Sequence, residues 1–411
     1  MSIEDRLRAY VDSEGRIVLP SATKARLGLS PATEVALEEL ANSVTLRRPT
    51  THLAKIYVEP TSRCNLDCSI CIRNSWDEGQ GDMSEATFGR LMDGAKNLQQ
   101  KPVMVFGGFG EPLIHPNICE MLARAKENAQ RVELITNGLL LSEVMARELI
   151  RLELDTVWFS VDRFHADACG KGAIPLANIE RLNRLRRTLS SPLPETGFVF
   201  VATNSNVDGL PDLLRTAGRY GVSRCMVTNV LPYTPEMCAE ALYERSLDLI
   251  DSEPSSWSLG LYLPRMDLDK TTLTTLEQLL RARHNVSLNS AALNPTAGRC
   301  PFIETGAVTV SWDGSVSPCL GLMHSHVSYL NDKPRAVRRY VVGNVDSLSL
   351  NELWSDPEHV AFRKRVDEFD FAPCTWCRAC EKVEANEEDC YGNTFPTCGG
   401  CLWAWGVIQC P

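Results

Sequence analysis

Three cysteines stand together as Cys64-x3-Cys68-x2-Cys71, inside Arg63-Cys64-Asn65-Leu66-Asp67-Cys68-Ser69-Ile70-Cys71. Thiolates hold the irons of iron–sulfur clusters, and a cubic [4Fe–4S] cluster ordinarily takes four protein ligands. Three thiolates therefore leave one iron open to an exogenous ligand, and an open iron is where cluster chemistry happens. A zinc site with three cysteines would take a nearby histidine as its fourth ligand. The first histidine downstream of Cys71 is His115, too remote to belong to the motif. Three unrelated core thiols are the plainer alternative, against which the tight spacing argues.

The chain carries 16 cysteines, and seven of them fall between Cys374 and Cys410. The start, Met1-Ser2-Ile3-Glu4-Asp5-Arg6, is charged and lacks the apolar core of an export signal. Clustered cysteines without an export signal point to metal or iron–sulfur ligation in a reducing cytosol rather than to disulfides. A cytoplasmic location is the expectation. Cys119, Cys169, Cys225 and Cys238 lie apart and read as ordinary buried thiols. The net charge of −10 argues against a loose affinity for nucleic acid or anionic lipid, both of which need a basic surface. No run of 18 apolar residues exists, so no membrane span is expected.

The motif needs rigid elements to hold it, and 411 residues suffice for two or three domains. From Ala54 onward, apolar strands alternate with amphipathic helices. Strand candidates are Lys55–Glu59, Val103–Gly107, Val132–Thr136, Thr156–Asp162, Phe198–Thr203 and Cys225–Asn229. Phe88, Leu91, Met92, Ala95 and Leu98 recur at helical spacing behind Ser84, an N-cap candidate. Ile118, Met121, Leu122 and Ala125 repeat the pattern, as do Leu210, Leu213, Leu214 and Ala217. Six βα units in series predict a parallel sheet curled by right-handed crossovers into a partial (β/α)6 TIM-like barrel, an α/β fold. Chemistry in such barrels sits at the C-terminal strand ends. The three cysteines lie in the first such loop.

Other strand ends offer matching groups. Gly107-Gly108-Phe109-Gly110-Glu111-Pro112 follows the second strand; its glycines let backbone approach a ligand, and Glu111 can accept from an ammonium group. Thr136-Asn137-Gly138 ends the third strand and Ser160-Val161-Asp162 the fourth. Each is weak alone; together with the cysteines they form one constellation.

With these residues, 54 to about 240 resembles the radical S-adenosylmethionine superfamily. The resemblance implies that Cys64, Cys68 and Cys71 bind a [4Fe–4S] cluster whose open iron is chelated by S-adenosylmethionine. It implies that Gly108, Phe109, Gly110 and Glu111 hold the methionine amino group, and that Ser160, Asp162 and Asn137 meet the ribose or carboxylate. Ile70 stands where the family usually has an aromatic against the adenine. The implied reaction is one-electron cleavage to methionine and a 5′-deoxyadenosyl radical that abstracts hydrogen from a substrate.

Further on, Val308-Thr309-Val310-Ser311-Trp312-Asp313-Gly314 carries a hairpin signal. Cys300, Cys319 and the pair Cys374-x2-Cys377 resemble the SPASM extension with its one or two auxiliary iron–sulfur clusters; after Cys377 the chain departs from that pattern, with Cys380, Cys390, Cys398-x2-Cys401 and Cys410 following as further ligand candidates. Cys380 comes earlier than that pattern wants, and which cysteines share a cluster stays open. Zinc is the competing reading for the tail, because C-x2-C pairs serve both metals. At the other end, Asp12-Ser13-Glu14-Gly15-Arg16-Ile17-Val18-Leu19-Pro20 with Leu27-Gly28-Leu29 resembles the AbrB/MazE swapped-hairpin module. Its basic and acidic residues balance, so docking or homodimerisation is expected there rather than DNA binding. Strand-like stretches follow at Glu34-Val35-Ala36-Leu37 and Val44-Thr45-Leu46-Arg47.

The expected organisation is an N-terminal β-rich module (1–50), a radical core (51–245), a connector (246–296) with a helix at Leu273–Leu280, and a cysteine-rich auxiliary domain (297–411). With Glu387-Glu388-Asp389-Cys390-Tyr391-Gly392-Asn393-Thr394-Phe395-Pro396-Thr397-Cys398-Gly399-Gly400-Cys401-Leu402-Trp403-Ala404-Trp405, the AbrB-like start and Cys71-Ile72-Arg73-Asn74-Ser75-Trp76-Asp77-Glu78, the chain over essentially its whole length resembles the radical maturases that accompany tungsten-containing aldehyde ferredoxin oxidoreductases. A protein, peptide or tungstopterin substrate is then expected, with a reductant such as ferredoxin or flavodoxin. A peptide maturase that crosslinks or oxidises side chains is the alternative enzyme. From another class, the chain reads as an iron–sulfur electron carrier or a regulator, neither of which needs the Gly-Glu-Pro segment.

Overall fold

A computed structural model of the chain describes residues 9–27, 37–40, 43–46, 49–161, 176–244, 300–376 and 380–411, together with the isolated positions 29, 35 and 272. The connector helix expected at Leu273–Leu280 lies outside the described residues, as do Asp162, Cys169 and Cys377.

At the start, β1 (Tyr10–Val11) pairs antiparallel with β2 (Ile17–Val18), followed by α1 (Ser21–Leu27). A second hairpin joins β3 (Leu37–Leu40) to β4 (Ser43–Leu46). Strand β3 lies later than the 34–37 expected, because it pairs with β4 in the register Leu37↔Leu46.

Six parallel strands then follow: β5 (Lys55–Val58), β6 (Val103–Phe106), β7 (Arg131–Thr136), β8 (Thr156–Ser160), β9 (Glu195–Ala202) and β10 (Arg224–Asn229). They are joined by α2 (Glu85–Lys96), α3 (Ile118–Asn128), α4 (Glu143–Arg151), α5 (Leu176–Thr188) and α6 (Leu210–Tyr220). These strands are mostly apolar and mostly buried, with polar residues such as Arg131, Glu133, Glu195 and Arg224 among them. Ser84 caps α2 as expected, its Oγ accepting from the Thr87 N–H at 3.0 Å. Ser142 caps α4 in the same way.

The sheet does not stop at six. After α7 (Pro301–Thr305), β11 (Ala307–Val310) lies parallel to β5 in the register Ile56↔Val308. Strand β12 (Ser315–Ser317) turns back antiparallel on β11, as the Asp313-Gly314 signal indicates, and β15 (Gly343–Asn344) follows it at the edge. A separate hairpin, β13 (His326–Leu330) with β14 (Lys333–Val337), and the helices α8 (Leu350–Ser355) and α9 (Pro357–Glu368) complete the C-terminal region. The main sheet has the order β10-β9-β8-β7-β6-β5-β11-β12-β15.

Side chains on β5 alternate. Ile56 and Val58 pack in the layer beneath the helices, whereas Tyr57 faces a second core shared with Val105, Phe302, Trp403, Trp405 and Val407. The C-terminal segment fills this inner core and is tied to both ends of the six-strand arc. At β5, the Lys55 ammonium and the Tyr57 hydroxyl each donate to the Pro411 carbonyl at 2.6 Å. At β10, Asn229 Nδ2 donates to the Val407 carbonyl and the Gln409 N–H to Thr228 Oγ1. Among the described residues no helix is long and apolar enough to cross a membrane.

If the tail is core, Val407→Ala should destabilise the protein by about 2 kcal/mol through lost burial and the cavity left behind. Denaturant unfolding of the cluster-loaded protein checks this; an unchanged midpoint would place Val407 outside the core.

Candidate active site

Strand β5 ends at Val58, and the chain runs through Glu59-Pro60-Thr61-Ser62 into the cysteine loop. Arg73 shapes that loop from within. Its Nη1 donates to the Ser62 carbonyl at 3.1 Å, its Nη2 to the Leu66 carbonyl at 3.0 Å, and its Nε to Cys71 Sγ at 3.4 Å. The Leu66 N–H donates to Cys64 Sγ at 3.4 Å, and the Cys71 N–H closes a turn onto the Cys68 carbonyl. The three thiols are half-buried and none is in a disulfide. Burial pushes the Cys64 thiol up, against the Leu66 N–H and the Arg73 charge. Ile70 is half-buried in the turn before Cys71.

The segment after β6 lies directly on this loop. The Glu111 N–H donates to the Arg63 carbonyl at 2.8 Å. A Cβ at Gly110 would sit 2.0 Å from the Thr61 carbonyl oxygen, so only glycine allows that approach. Gly108 has φ +108°, and a Cβ there would lie 2.9 Å from Glu59 Cγ. The Phe109 N–H donates to Glu59 Oε1 at 3.3 Å.

Glu111 is turned inward. Its Oε1 accepts from Thr136 Oγ1 at 2.6 Å and from the Leu113 N–H at 3.0 Å, and its Oε2 from the Asn137 N–H at 2.7 Å. Burial pushes its carboxyl up, against these three bonds. Glu111 thus braces the end of β6 to the end of β7, and the ammonium contact expected of it narrows to the lone pair left on Oε2. Asn137 completes the junction, with Nδ2 donating to Asn65 Oδ1 at 2.9 Å and lying 4.0 Å from Cys64 Sγ. Ser160 is exposed at the end of β8. The loops after β5, β6 and β7 therefore meet at one place, around Cys64.

The C-terminal thiols sort themselves. Cys300, Cys319, Cys398 and Cys401 line one apolar cavity, beside the buried Arg335 and His326. Burial, then mutual repulsion as thiolates, pushes Cys300 to about 12 and Cys319 and Cys398 well above the usual thiol range. Three buried thiols and the half-buried Cys401, whose thiolate opposes the ionisation of the other three, are a donor set that a cationic iron–sulfur core would neutralise. Cys374 is buried close enough to Arg335 to favour its charge, and Cys380 precedes a short 3-10 turn. Cys390 and Cys410, both expected as ligands, do not line the cavity. Cys390 is exposed in a turn held by Asp389, and Cys410 sits beside Trp403 and Lys55. Cys119, Cys225 and Cys238 are partly rather than fully buried. Among the described residues, no three His, Cys, Asp or Glu side chains converge on a site for a single metal ion.

Sequence reasoning missed four residues here. Arg73 follows the motif by two positions and was legible only as a nearby cation. Glu59, Glu78 and His324 meet in space from distant parts of the chain. The His324 imidazole lies between the two carboxylates, Nε2 at 2.8 Å from Glu59 Oε2 and Nδ1 at 2.7 Å from Glu78 Oε2. Its ring stacks on Trp76 at 4.1 Å, and Trp76 meets the Phe109 ring edge-on at 5.2 Å. A carboxylate ending an otherwise apolar strand, as Glu59 does, was the one signal available.

A strand-end site with three clustered thiols on a parallel arc defines a class. The sequence signature of the radical SAM superfamily matches residues 58–217, and that of the SPASM iron–sulfur cluster-binding domain matches residues 300–381. The chain is 30% identical over 370 residues to the tungsten-containing aldehyde ferredoxin oxidoreductase cofactor-modifying protein of Pyrococcus furiosus, covering 87% of this chain and 96% of that one. It is 24% identical over 364 residues to the PqqA peptide cyclase of Gluconobacter oxydans, covering 84% and 89%. Two solved structures share the fold. Native anSMEcpe with bound AdoMet superposes with a TM-score of 0.52 at 18% identity, covering 80% of this chain and 87% of that one. Streptococcus suis SuiB bound to precursor peptide SuiA gives 0.53 at 14%, covering 80% and 70%. The chain belongs to the radical SAM superfamily and carries a SPASM domain. It is accordingly an enzyme whose cofactors are a [4Fe–4S] cluster, S-adenosylmethionine and auxiliary iron–sulfur clusters.

Gly110→Ala should abolish S-adenosylmethionine binding and lower the unfolding temperature, because the clash falls on the Thr61 and Arg63 backbone; retained binding would separate the two segments. Among the tail cysteines, Cys398→Ser and Cys401→Ser should lower iron per chain after anaerobic reconstitution and Cys390→Ser should not; equal losses from all three would refute the four-thiol grouping.

Proposed function

We propose that this enzyme cleaves S-adenosylmethionine reductively at the Cys64 loop and modifies a tungsten-containing aldehyde oxidoreductase, its tungstopterin or a peptide associated with it. The observation that carries the site is the seating of Gly110 and Glu111 on the backbone of Thr61 and Arg63. It supports reading the segment as ligand-binding, because it seats the glycines on the backbone that leads into the cysteine loop. The substrate class rests on the similarity to the cofactor-modifying protein, which extends across nearly its whole length.

In this reading Cys64, Cys68 and Cys71 hold the first cluster, which when bound supplies the electron that breaks a carbon–sulfur bond of S-adenosylmethionine. The chain's own residues do the rest. Arg73 fixes the loop and places a positive charge beside the Cys71 sulfur. Asn137 aligns the β7 end with Cys64, and Glu111 locks β6 to β7. Ile70 supplies apolar surface toward the adenine; Ser160 and Asp162 offer polar contacts to the ribose or carboxylate. Cys300, Cys319, Cys398 and Cys401 hold an auxiliary cluster in the cavity against the inner core, where it can exchange electrons with a substrate radical.

A second reading, a peptide maturase that crosslinks or oxidises side chains, is favoured by the similarity to a PqqA peptide cyclase over most of both chains. Capture of the native partner separates the two: a tungsten oxidoreductase supports the first, a short ribosomal peptide the second. A soluble reductant of the ferredoxin or flavodoxin type and dimerisation through residues 1–50 belong to either; Tyr10, Val11, Ile17, Leu37 and Val44 are exposed there.

Anaerobic reconstitution with dithionite and S-adenosylmethionine should yield 5′-deoxyadenosine. Alanine at Cys64, Cys68 or Cys71 should reduce the yield to background while iron bound by the C-terminal cysteines persists. Product from these variants would overturn the site, and no product from cluster-loaded wild type would overturn the reaction.

A further inference from the structure

Glu59 is fully buried at the end of β5 and supports the segment that follows β6. Its Oε1 accepts from the Phe109 N–H, and its Cγ fills the space a side chain at Gly108 would need. Its other oxygen, Oε2, is held by His324, which enters from the SPASM region between η-turn Leu320–Leu322 and β13. The same imidazole reaches Glu78, in the loop after the cysteines, and Glu78 Oε1 accepts from the Ser325 N–H at 2.7 Å. Trp76 covers the imidazole face and touches Phe109.

We propose that His324 is a positioning residue through which the SPASM region sets the S-adenosylmethionine-binding segment, as a cation bridging Glu59 and Glu78. The proposal rests on the reading that residues 108–111 bind S-adenosylmethionine. A buried carboxylate that loses its cation has to take up a proton or move. Either change weakens Glu59 as acceptor for the Phe109 N–H and shifts the backbone that carries the ligand.

The charges around the ring fit this role. Glu59 faces it from β5 and Glu78 from the cysteine-loop side. Arg339, beyond β14, lies 3.6 Å from Glu78 and 3.6 Å from Asp313 of the β11–β12 turn. His326 of β13 lies 3.0 Å from the His324 carbonyl, and burial pushes its own imidazole down; Arg335 of β14 adds a further positive charge beside it. Burial works against the charged form of His324, but the bonds and charges of Glu59 and Glu78 prevail and lift it from 6.5 to about 9. A raised imidazole contributes fully below its unfolded value, near 6.5, and its contribution is lost as pH rises through about 9.

The test is S-adenosylmethionine affinity, measured by titrating the reconstituted, cluster-loaded protein from pH 7 to 10. Wild type should hold its affinity at neutral pH and lose it through about pH 9. His324→Gln, which cannot carry the charge, should bind roughly tenfold more weakly at pH 7 with iron content and cluster absorption unchanged, and its affinity should no longer fall near pH 9. Affinity and pH profile equal to wild type would overturn the bridge. Should His324→Gln fail to load iron, Glu78→Gln keeps the Glu59–His324 bond but removes one of the two carboxylates that raise the imidazole, so the fall in affinity should move to lower pH; an unmoved profile would overturn the bridge. A cluster-loaded wild type that binds no S-adenosylmethionine at any pH would instead overturn the assignment of residues 108–111, and the proposal with it.

Discussion

The parallel pairing of β11 with β5 is the constraint on which the remaining structure depends. Through it, a segment 250 residues downstream in the chain joins the strand that delivers the cysteine loop. The pairing sets the depth at which the SPASM region meets the barrel. It brings His324 to Glu59, seats the four-thiol cavity against Tyr57 and Val105, and leaves the C-terminal segment to fill the inner core. Without that register, the two redox regions would be separate bodies on one chain. With it, they share a core.

The site itself is built from backbone more than from side chains. Gly110 meets the Thr61 and Arg63 carbonyls at a separation that excludes any Cβ, and Arg73 holds two further carbonyls of the same loop. Glu111, Thr136 and Asn137 then fix the neighbouring strand ends to one another. Such preorganisation suits a reaction in which the protein's task is to position a reactive group and exclude alternatives. The thiols of the C-terminal cavity follow the same logic: unligated, neighbouring thiolates oppose the ionisation of Cys300, Cys319 and Cys398, and a cluster relieves that opposition.

Local patterns were legible in the sequence and distant pairings were not. Apolar stretches alternating with amphipathic helices gave β5 to β10, because buried parallel strands are rich in apolar residues. Ser84 and the Asp313-Gly314 turn were readable from single residues. The helices at Glu143–Arg151 and Leu176–Thr188 were implied by the six βα units but given no bounds; they bury Ala146, Leu149 and Ile150, and Ile179, Leu182 and Leu185. The β5–β11 pairing has no local signature, since register across 250 residues depends on tertiary contacts. For the site, Cys64, Gly110, Glu111 and Asn137 were found by type and strand-end position, and the structure brings them into contact. Glu59, Glu78 and His324 are unremarkable singly, and only their meeting gives them a role. The tail cysteines could be counted but not grouped, because C-x2-C spacing does not say which other pair shares the cavity.

The central claim is that the vacancy left by three thiolates is filled by S-adenosylmethionine bound to the iron. Electron–nuclear double resonance on the reduced, cluster-loaded protein with amino-15N S-adenosylmethionine tests it directly. The expected result is a 15N hyperfine coupling to the cluster spin, absent when Cys64, Cys68 and Cys71 are replaced. A reduced cluster that shows no coupling under saturating S-adenosylmethionine would contradict the account.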